Sequence, residues 1–264
     1  MKNEATRLFH KQGKKYDEYY TTLEEVEYIF NSVINEDFTD KIIYCPFDCS
    51  ESAFVKYIIG EYKKLGYKEF WYTSDDFKNH EDLIEKCDVI ISNPPFSLLC
   101  KEILPMFKRY NKKFFLFGSL ICVNKYIQTY LSNELKYIRR NQFKFITPHI
   151  NENGKNFTNV SGTIYLTNFD IKETYKEYKP NNKFLSKTFN GIPHVYYQDG
   201  TLTIDKMNDF PDDYYEPIRC PLSCLEYKYQ KYLDFINVPE RKYQVLGYSD
   251  NKIRFLRILV KRKL

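Results

Sequence analysis

Asn93-Pro94-Pro95-Phe96 follows the apolar run Asp88-Val89-Ile90-Ile91-Ser92, and its residue types suit one kind of chemistry. Two prolines stiffen the loop and remove two N–H donors, leaving carbonyl oxygens to face a ligand. The Asn93 amide oxygen and the Pro94 carbonyl can both accept from an exocyclic –NH2, and Phe96 offers a face for a planar ring. A neutral amide is a poor proton acceptor. The group of four therefore implies orientation and polarisation of a nitrogen nucleophile, with the transferred methyl coming from an already activated sulfonium, S-adenosylmethionine, and no metal required.

Other candidate residues fall at the ends of neighbouring apolar runs. Ile42-Ile43-Tyr44 reads as a strand ending in Cys45-Pro46-Phe47-Asp48, and Glu69 to Thr73 as a strand closing on Asp75-Asp76-Phe77. Ala53, Phe54, Tyr57, Ile58, Tyr62 and Leu65 keep helical spacing up to Gly66, a C′ stop. Thr22-Leu23-Glu24-Glu25 reads as a capping box, and Leu83 to Cys87 and Leu99 to Phe107 as further helices. Phe114 to Phe117, Gln142 to Ile146 and Gly162 to Phe169 read as strands, and Val123 to Leu131 as a helix. This alternation predicts an α/β fold, a doubly wound sheet with a mainly parallel core. Such sheets bind ligands at the carboxyl ends of their strands, where Asp48, Asp75, Asp76 and Asn93 converge.

The expected division is a core over 1–170 and a smaller C-terminal α+β region over 171–264. In the latter, Tyr197 to Thr201 reads as a hairpin turn, Glu226 to Ile236 as a helix, and Tyr243 to Val260 as a hairpin turning at Asp250-Asn251.

Composition sets the class. At 264 residues with 43% hydrophobic and 28% charged residues, the chain suits a globular protein. The net charge of +5 is unevenly spread. Nine basic residues between Ile103 and His149 face one acid, Glu134, and the six from Lys252 to Lys263 face none. Two such blocks suggest a polyanion-facing surface; solvated lysine-rich faces are the plainer alternative. Seven cysteines without a secretory signal point to a reducing, cytoplasmic setting. Cys45-x3-Cys49 and Cys220-x3-Cys224 read as core thiols rather than zinc ligands. No apolar run is long enough for a membrane span. No histidine has ligand spacing, and no nucleophile triad or phosphate-binding loop is visible.

Taken with Asp17-Glu18-Tyr19-Tyr20-Thr21, Tyr44 to Asp48 with Ser52 and Phe54, Asp88 to Ser97, and Val160 to Phe169, the chain resembles the EcoRI-type adenine-specific DNA methyltransferase family. The basic end from Arg257 to Lys263 also fits. The loop from Asp48 to Phe54 is one residue shorter than that family's pattern and holds no glycine, and the segment from Phe70 to Asp88 is compressed.

The resemblance implies a Rossmann-like S-adenosylmethionine-dependent fold that methylates the N6 amino group of adenine in double-stranded DNA. It implies that Asn93, Pro94, Pro95 and Phe96 hold the extruded base, with Tyr165 a second contact or an ordinary core tyrosine. For the cofactor it implies Tyr20, Thr21, Pro46, Asp48, Ser52, Asp75, Asp76 and Phe77. Asp75 and Asp76 read equally well as helix N-caps, and Asp48 as a cap of the helix beginning near Ser50. The candidate DNA contacts are Arg139, Arg140, Arg257, Lys261 and Arg262. A separately encoded restriction endonuclease is the expected partner. Competing readings are methylation of RNA adenine or protein glutamine, and a methylase-like nucleic-acid-binding protein without catalysis.

Overall fold

A computed structural model describes residues 20–119, 135–139, 143–146, 157–159, 162–172, 188–189, 192–193, 195–196, 201–230, 232–237 and 257–263. It is a mixed α/β fold that divides into two units. The first comprises residues 1–123 and 138–174; the second comprises 124–137 and 175–264.

Strand β1 (Tyr20–Thr21) leads through Thr22 into helix α1 (Leu23–Tyr28), which continues as a π turn over Ile29–Val33. Thr22 is the N-cap, its hydroxyl oxygen accepting from the Glu25 N–H at 3.2 Å, as the capping-box pattern predicts. Strand β2 (Ile42–Pro46) is followed by α2 (Ala53–Gly60) and the single turn α3 (Tyr62–Leu65). Gly66 stops that turn in the left-handed conformation at φ 65°. Strand β3 (Glu69–Thr73) is followed by a 3-10 turn, Phe77–His80, and α4 (Glu81–Lys86). Strand β4 (Val89–Ser92) precedes the Asn93-Pro94-Pro95 turn. From there α5 (Phe96–Leu98), a π turn over Leu99–Ile103 and α6 (Leu104–Arg109) run on to β5 (Lys113–Ser119).

Then come β6 (Lys136–Ile138), which contains the division between the units, β7 (Lys144–Ile146), β8 (Phe157–Asn159) and β9 (Thr163–Thr167). Within the first unit the main sheet runs β3-β2-β4-β5-β9. The first four strands are mutually parallel, and β9 returns antiparallel to β5. Because β2 has β3 on one side and β4 on the other, the strand order reverses there. The carboxyl ends of β2 and β4 thus flank the crevice where ligands enter such sheets.

The inner parallel strands β2, β4 and β5 carry near-continuous apolar runs because both of their faces are covered. Ile43, Tyr44, Ile90, Ile91, Phe115, Leu116 and Phe117 are all fully buried. Each such side chain contributes roughly 1.5–3 kcal/mol of transfer free energy. Gly118 lets helix and strand approach closely, since a Cβ there would lie 3.0 Å from Leu99 Cδ2. The segment expected over Gln142 to Ile146 is β7, but it leaves the main sheet. It pairs antiparallel with β1 and β8 in a separate three-stranded sheet, with Tyr20 opposite Ile146 and Thr21 opposite Phe145.

In the second unit, Val195–Tyr196 pairs antiparallel with Leu202–Thr203, as a turn between them requires; residues 197–200 lie outside the described residues. The helix expected over Glu226 to Ile236 is a single turn, Tyr227–Gln230, followed by a strand, Leu233–Asn237. That strand pairs antiparallel with Arg257–Arg262, which pairs in turn with Ile218–Pro221. The expected helix over Val123 to Leu131 and the turn at Asp250-Asn251 lie outside the described residues. No described helix is long and apolar enough to cross a membrane.

Candidate active site

A cavity of about 630 Å³ opens in the first unit at the carboxyl ends of β2 and β4. That volume lies within the usual range for a small-molecule site. Four stretches build its wall: Tyr20, Thr21 and Leu23; Phe47 to Cys49 with Glu51 to Ala53 and Lys56; Asn93 to Phe96; and Ile146.

The turn after β2 is made without glycine. Phe47 takes φ 72°, a left-handed conformation that costs a residue with a Cβ roughly 1–2 kcal/mol. Its ring is held against Phe77, with centroids 5.1 Å apart, and the Asp48 N–H donates to the Thr73 carbonyl at 2.8 Å. This turn aims the Asp48 side chain inward, where it is 6% exposed. Ser52 occupies the N-cap position of α2, yet its hydroxyl donates to Asp48 Oδ1 rather than capping the helix. Asp48 itself is not the cap.

Ser92, the last residue of β4, is fully buried between two acceptors, the Pro46 carbonyl oxygen and Asp48 Oδ2, the latter at 2.5 Å. Burial pushes the Asp48 carboxyl up to about 7, against the lowering effect of the Ser52 and Ser92 hydroxyls. Among the described residues no cation hydrogen-bonds it.

Asn93 and Phe96 are half-buried at the cavity, and Pro94 is buried. The Pro95 carbonyl accepts from the Leu98 N–H at 3.0 Å, so this proline also serves as the entry to α5. Thr21 is 9% exposed, and its hydroxyl is buried without a hydrogen-bond partner among the described residues. An orphaned hydroxyl at a cavity wall has the chemistry to meet a polar ligand.

Several expected site residues lie elsewhere. Tyr165 is fully buried in β9, with its hydroxyl donating to Glu25 Oε1, so it does not open onto the cavity. Asp75 and Asp76 are exposed at the end of β3 and do not line the cavity. Asp75 is hydrogen-bonded to His80 at 2.7 Å, which holds its carboxyl below the usual range. Asp76 caps the 3-10 turn by accepting from the Lys78 N–H at 3.1 Å. Phe77 is a core residue against Phe47, and Pro46 reaches the site only through its carbonyl contact with Ser92.

Of the expected DNA contacts, Arg257 is 7% exposed and ion-paired to Asp205 at 2.7 Å, so it is not a solvent-facing cation. Arg262 lies over the Tyr215 ring at 5.3 Å, Lys261 is half-buried, and Arg139 is exposed. Arg140 lies outside the described residues. Other members of the basic blocks are also engaged. Arg109 pairs with Glu81, Lys113 pairs with Glu36, and Lys112 donates to the Glu85 and Cys87 carbonyls. Cys45, Cys220 and Cys224 are buried thiols pushed up by burial, while Cys49 is exposed at the cavity.

The sequence reading missed Phe47, Ser92, Lys56 and Ile146. Phe47 and Ser92 are direct neighbours of expected residues, and that adjacency was the available signal.

A profile of the family described as "Adenine-specific methyltransferase EcoRI" matches residues 71–255. Among curated proteins, the chain is 24% identical to "Type II methyltransferase M.EcoRI" of Escherichia coli, over 99% of this chain and 98% of that protein. It is 21% identical to "Type II methyltransferase M.MgeORF184P" of Mycoplasma genitalium, over 94% and 96% respectively. No solved structure matches the chain. The profile spans well over half of the sequence, and the chain belongs to the EcoRI-type adenine-specific methyltransferase family.

Proposed function

We propose that the chain transfers a methyl group from S-adenosylmethionine to the N6 amino group of adenine in double-stranded DNA. The observation that carries this reading is one cavity whose wall brings Asn93-Pro94-Pro95-Phe96 together with Asp48 and Thr21. On this reading the parallel sheet is the Rossmann-like sheet of a methyltransferase, and its crevice at the strand reversal takes the cofactor.

The donor set fits that cofactor. Among the described residues the Thr21 hydroxyl has no partner and the buried Asp48 carboxyl no cation; both suit the polar amino-acid end of S-adenosylmethionine. Tyr20 is the adjoining aromatic, and Ser52 orients Asp48. When bound, the cofactor supplies an activated sulfonium methyl.

The rest falls to the protein. Asn93 Oδ1 and the Pro94 carbonyl accept from the target –NH2 and turn its lone pair toward the methyl. Phe96 stacks on the base. An adenine in a duplex must leave its stack to reach such a site, and the unpairing cost of a few kcal/mol is met by these contacts. Placing the nucleophile and methyl in line accounts for the rate without a general base acting in the ground state.

Exposed Arg139 and the half-buried Lys261 and Arg262 are the proposed phosphate contacts, with the C-terminal region contributing to target recognition. The expected setting is the cytoplasm, alongside a separately encoded endonuclease of matching specificity.

The test is labelled methyl transfer onto duplex DNA, structured RNA and a protein lysate, followed by hydrolysis to nucleosides. Label co-migrating with N6-methyldeoxyadenosine supports the proposal. Label in RNA or protein alone, or none at all with cofactor bound, overturns it.

A further inference from the structure

Asp48 poses a problem of charge and proton count. Its carboxyl is buried where β2 ends, and among the described residues its oxygens meet two hydroxyls, Ser52 from the start of α2 and Ser92 from the end of β4. Two hydroxyl donors do not replace a counter-cation for a buried carboxylate. The other titratable groups nearby among the described residues do not supply one. Cys45 on β2 is a buried thiol that disfavours a second negative charge. Lys56 on α2 lines the same cavity but is ion-paired to Glu51 at 2.7 Å, and Cys49 is a thiol. From the β3 side Asp48 meets only the Thr73 carbonyl, which takes its backbone N–H.

Ser92 is the hinge of the count. Its hydroxyl has one proton and two acceptors within reach, the Pro46 carbonyl and Asp48 Oδ2. When Asp48 is a neutral acid, its own O–H donates to Ser92 Oγ, and Ser92 donates on to Pro46, so every group is satisfied. When Asp48 is a carboxylate, Ser92 must turn its proton to Asp48 and leave Pro46. The two arrangements exclude each other.

We propose that Ser92 is a positioning residue that couples the two states of Asp48 to ligand entry. An ammonium-bearing ligand end displaces the Asp48 proton to solvent, and Ser92 reorients from Pro46 to the new carboxylate. This rests on the proposal that the cavity takes S-adenosylmethionine, whose α-ammonium supplies the missing cation. In the step one carboxyl O–H bond breaks, its proton leaves to buffer, and the carboxylate–ammonium pair forms; nothing is oxidised or reduced. The raised affinity of Asp48 for its proton in the free protein agrees with this geometry.

The experiment is titration calorimetry of the full chain with S-adenosylmethionine in buffers of different ionisation enthalpy, from about pH 6 to about pH 8.5. The expected result is release of a large fraction of one proton per ligand near pH 6, falling through zero between about pH 7 and about pH 8 and turning to net uptake near about pH 8.5, where the free α-amine must gain a proton to bind as the ammonium. Affinity should fall by up to about tenfold per pH unit below about pH 7. Methylthioadenosine, which lacks the amino-acid end, should bind with no proton release. Asp48→Asn should abolish both the release and the pH dependence.

Ser92→Ala removes a donor to the carboxylate, so its affinity loss should begin at higher pH than in the wild type. A structural role alone would weaken binding equally at every pH, and that result would overturn the assignment to Ser92. Circular dichroism of both variants confirms folding before the comparison. Binding of S-adenosylmethionine without proton release overturns this inference and leaves the proposed function standing; absence of any binding overturns both.

Discussion

The Tyr165 hydroxyl donates to the Glu25 carboxylate from 140 residues away in the chain, and both side chains are buried. The bond ties β9 to α1, the helix that directly follows the cavity residues Tyr20 and Thr21. Removing one partner of a buried hydrogen bond costs about 1–3 kcal/mol, because the other is left unsatisfied. Tyr165→Phe should therefore lower unfolding free energy by about 1–3 kcal/mol in urea titrations. A contact to the extruded base would act differently, reducing turnover with stability unchanged; the buried position predicts the opposite split.

Asn93→Ala should retain S-adenosylmethionine binding within about threefold while turnover falls by at least about a hundredfold, since only the target amine loses its acceptor. Single-turnover methylation beside equilibrium binding separates the two. Wild-type turnover in the variant would remove Asn93 from the reaction.

Arg257 and Asp205 form an asymmetric pair, one buried and the other with its side chain 55% exposed. Removing the exposed partner takes a counter-charge from a buried cation, whereas removing the arginine leaves a carboxylate able to hydrate. Asp205→Ala should thus destabilise by about 1–3 kcal/mol. The slope of log affinity for DNA against log salt should barely change in Asp205→Ala or Arg257→Met. Lys261→Ala with Arg262→Ala should flatten that slope by one to two units, about one for each phosphate no longer neutralised.

Phe47 holds its left-handed backbone without the usual glycine. Phe47→Val keeps apolar bulk but adds a branched Cβ that such a φ disfavours, and Phe47→Asn loses apolar surface but tolerates the conformation. The valine variant should be less stable than the asparagine variant by about 1 kcal/mol in thermal melts. The reverse order would mean that ring packing against Phe77, not backbone conformation, sets the tolerance of this turn.

The Asp48 carboxyl stands at about 7 in the folded, ligand-free protein because burial disfavours its charge. An acid raised above its unfolded value of about 4 holds extra proton in the folded state, so folding is favoured at low pH and that advantage is lost as pH rises to about 7. Asp48→Asn should remove this component. Relative to wild type it should gain up to about 3 kcal/mol between about pH 5 and about pH 8, an upper bound given relaxation of the site. Identical pH profiles for the two proteins would place the Asp48 proton elsewhere.

The inner parallel strands β2, β4 and β5 were legible because burial on both faces writes them as continuous apolar runs; the edge strand Glu69–Thr73, with no buried residue, was legible from its aromatic run Phe70-Trp71-Tyr72, and Gly66 stops the preceding turn as read. The segment Leu233–Asn237 was not. Its Tyr229, Leu233 and Ile236 spacing imitates a helix, yet Leu233 is buried and Asp234 exposed in strand alternation, fixed by pairing with Arg257–Arg262. Local charge counting also misled, since Lys113 finds Glu36 across 77 residues and Arg257 finds Asp205 across 52. At the site, residue types at strand ends marked the rim. The left-handed turn at Phe47 and the burial of Ser92 depend on neighbours distant in sequence, and no local pattern encodes them.

The small sheet formed by Tyr20–Thr21, Lys144–Ile146 and Phe157–Asn159 sets an order of events. As synthesis proceeds, β2 to β5 can pair once residue 119 has emerged. Tyr20 finds Ile146 opposite only later, so the pocket gains its last wall after its floor. A nascent chain halted between those points would own the rim and lack the roof.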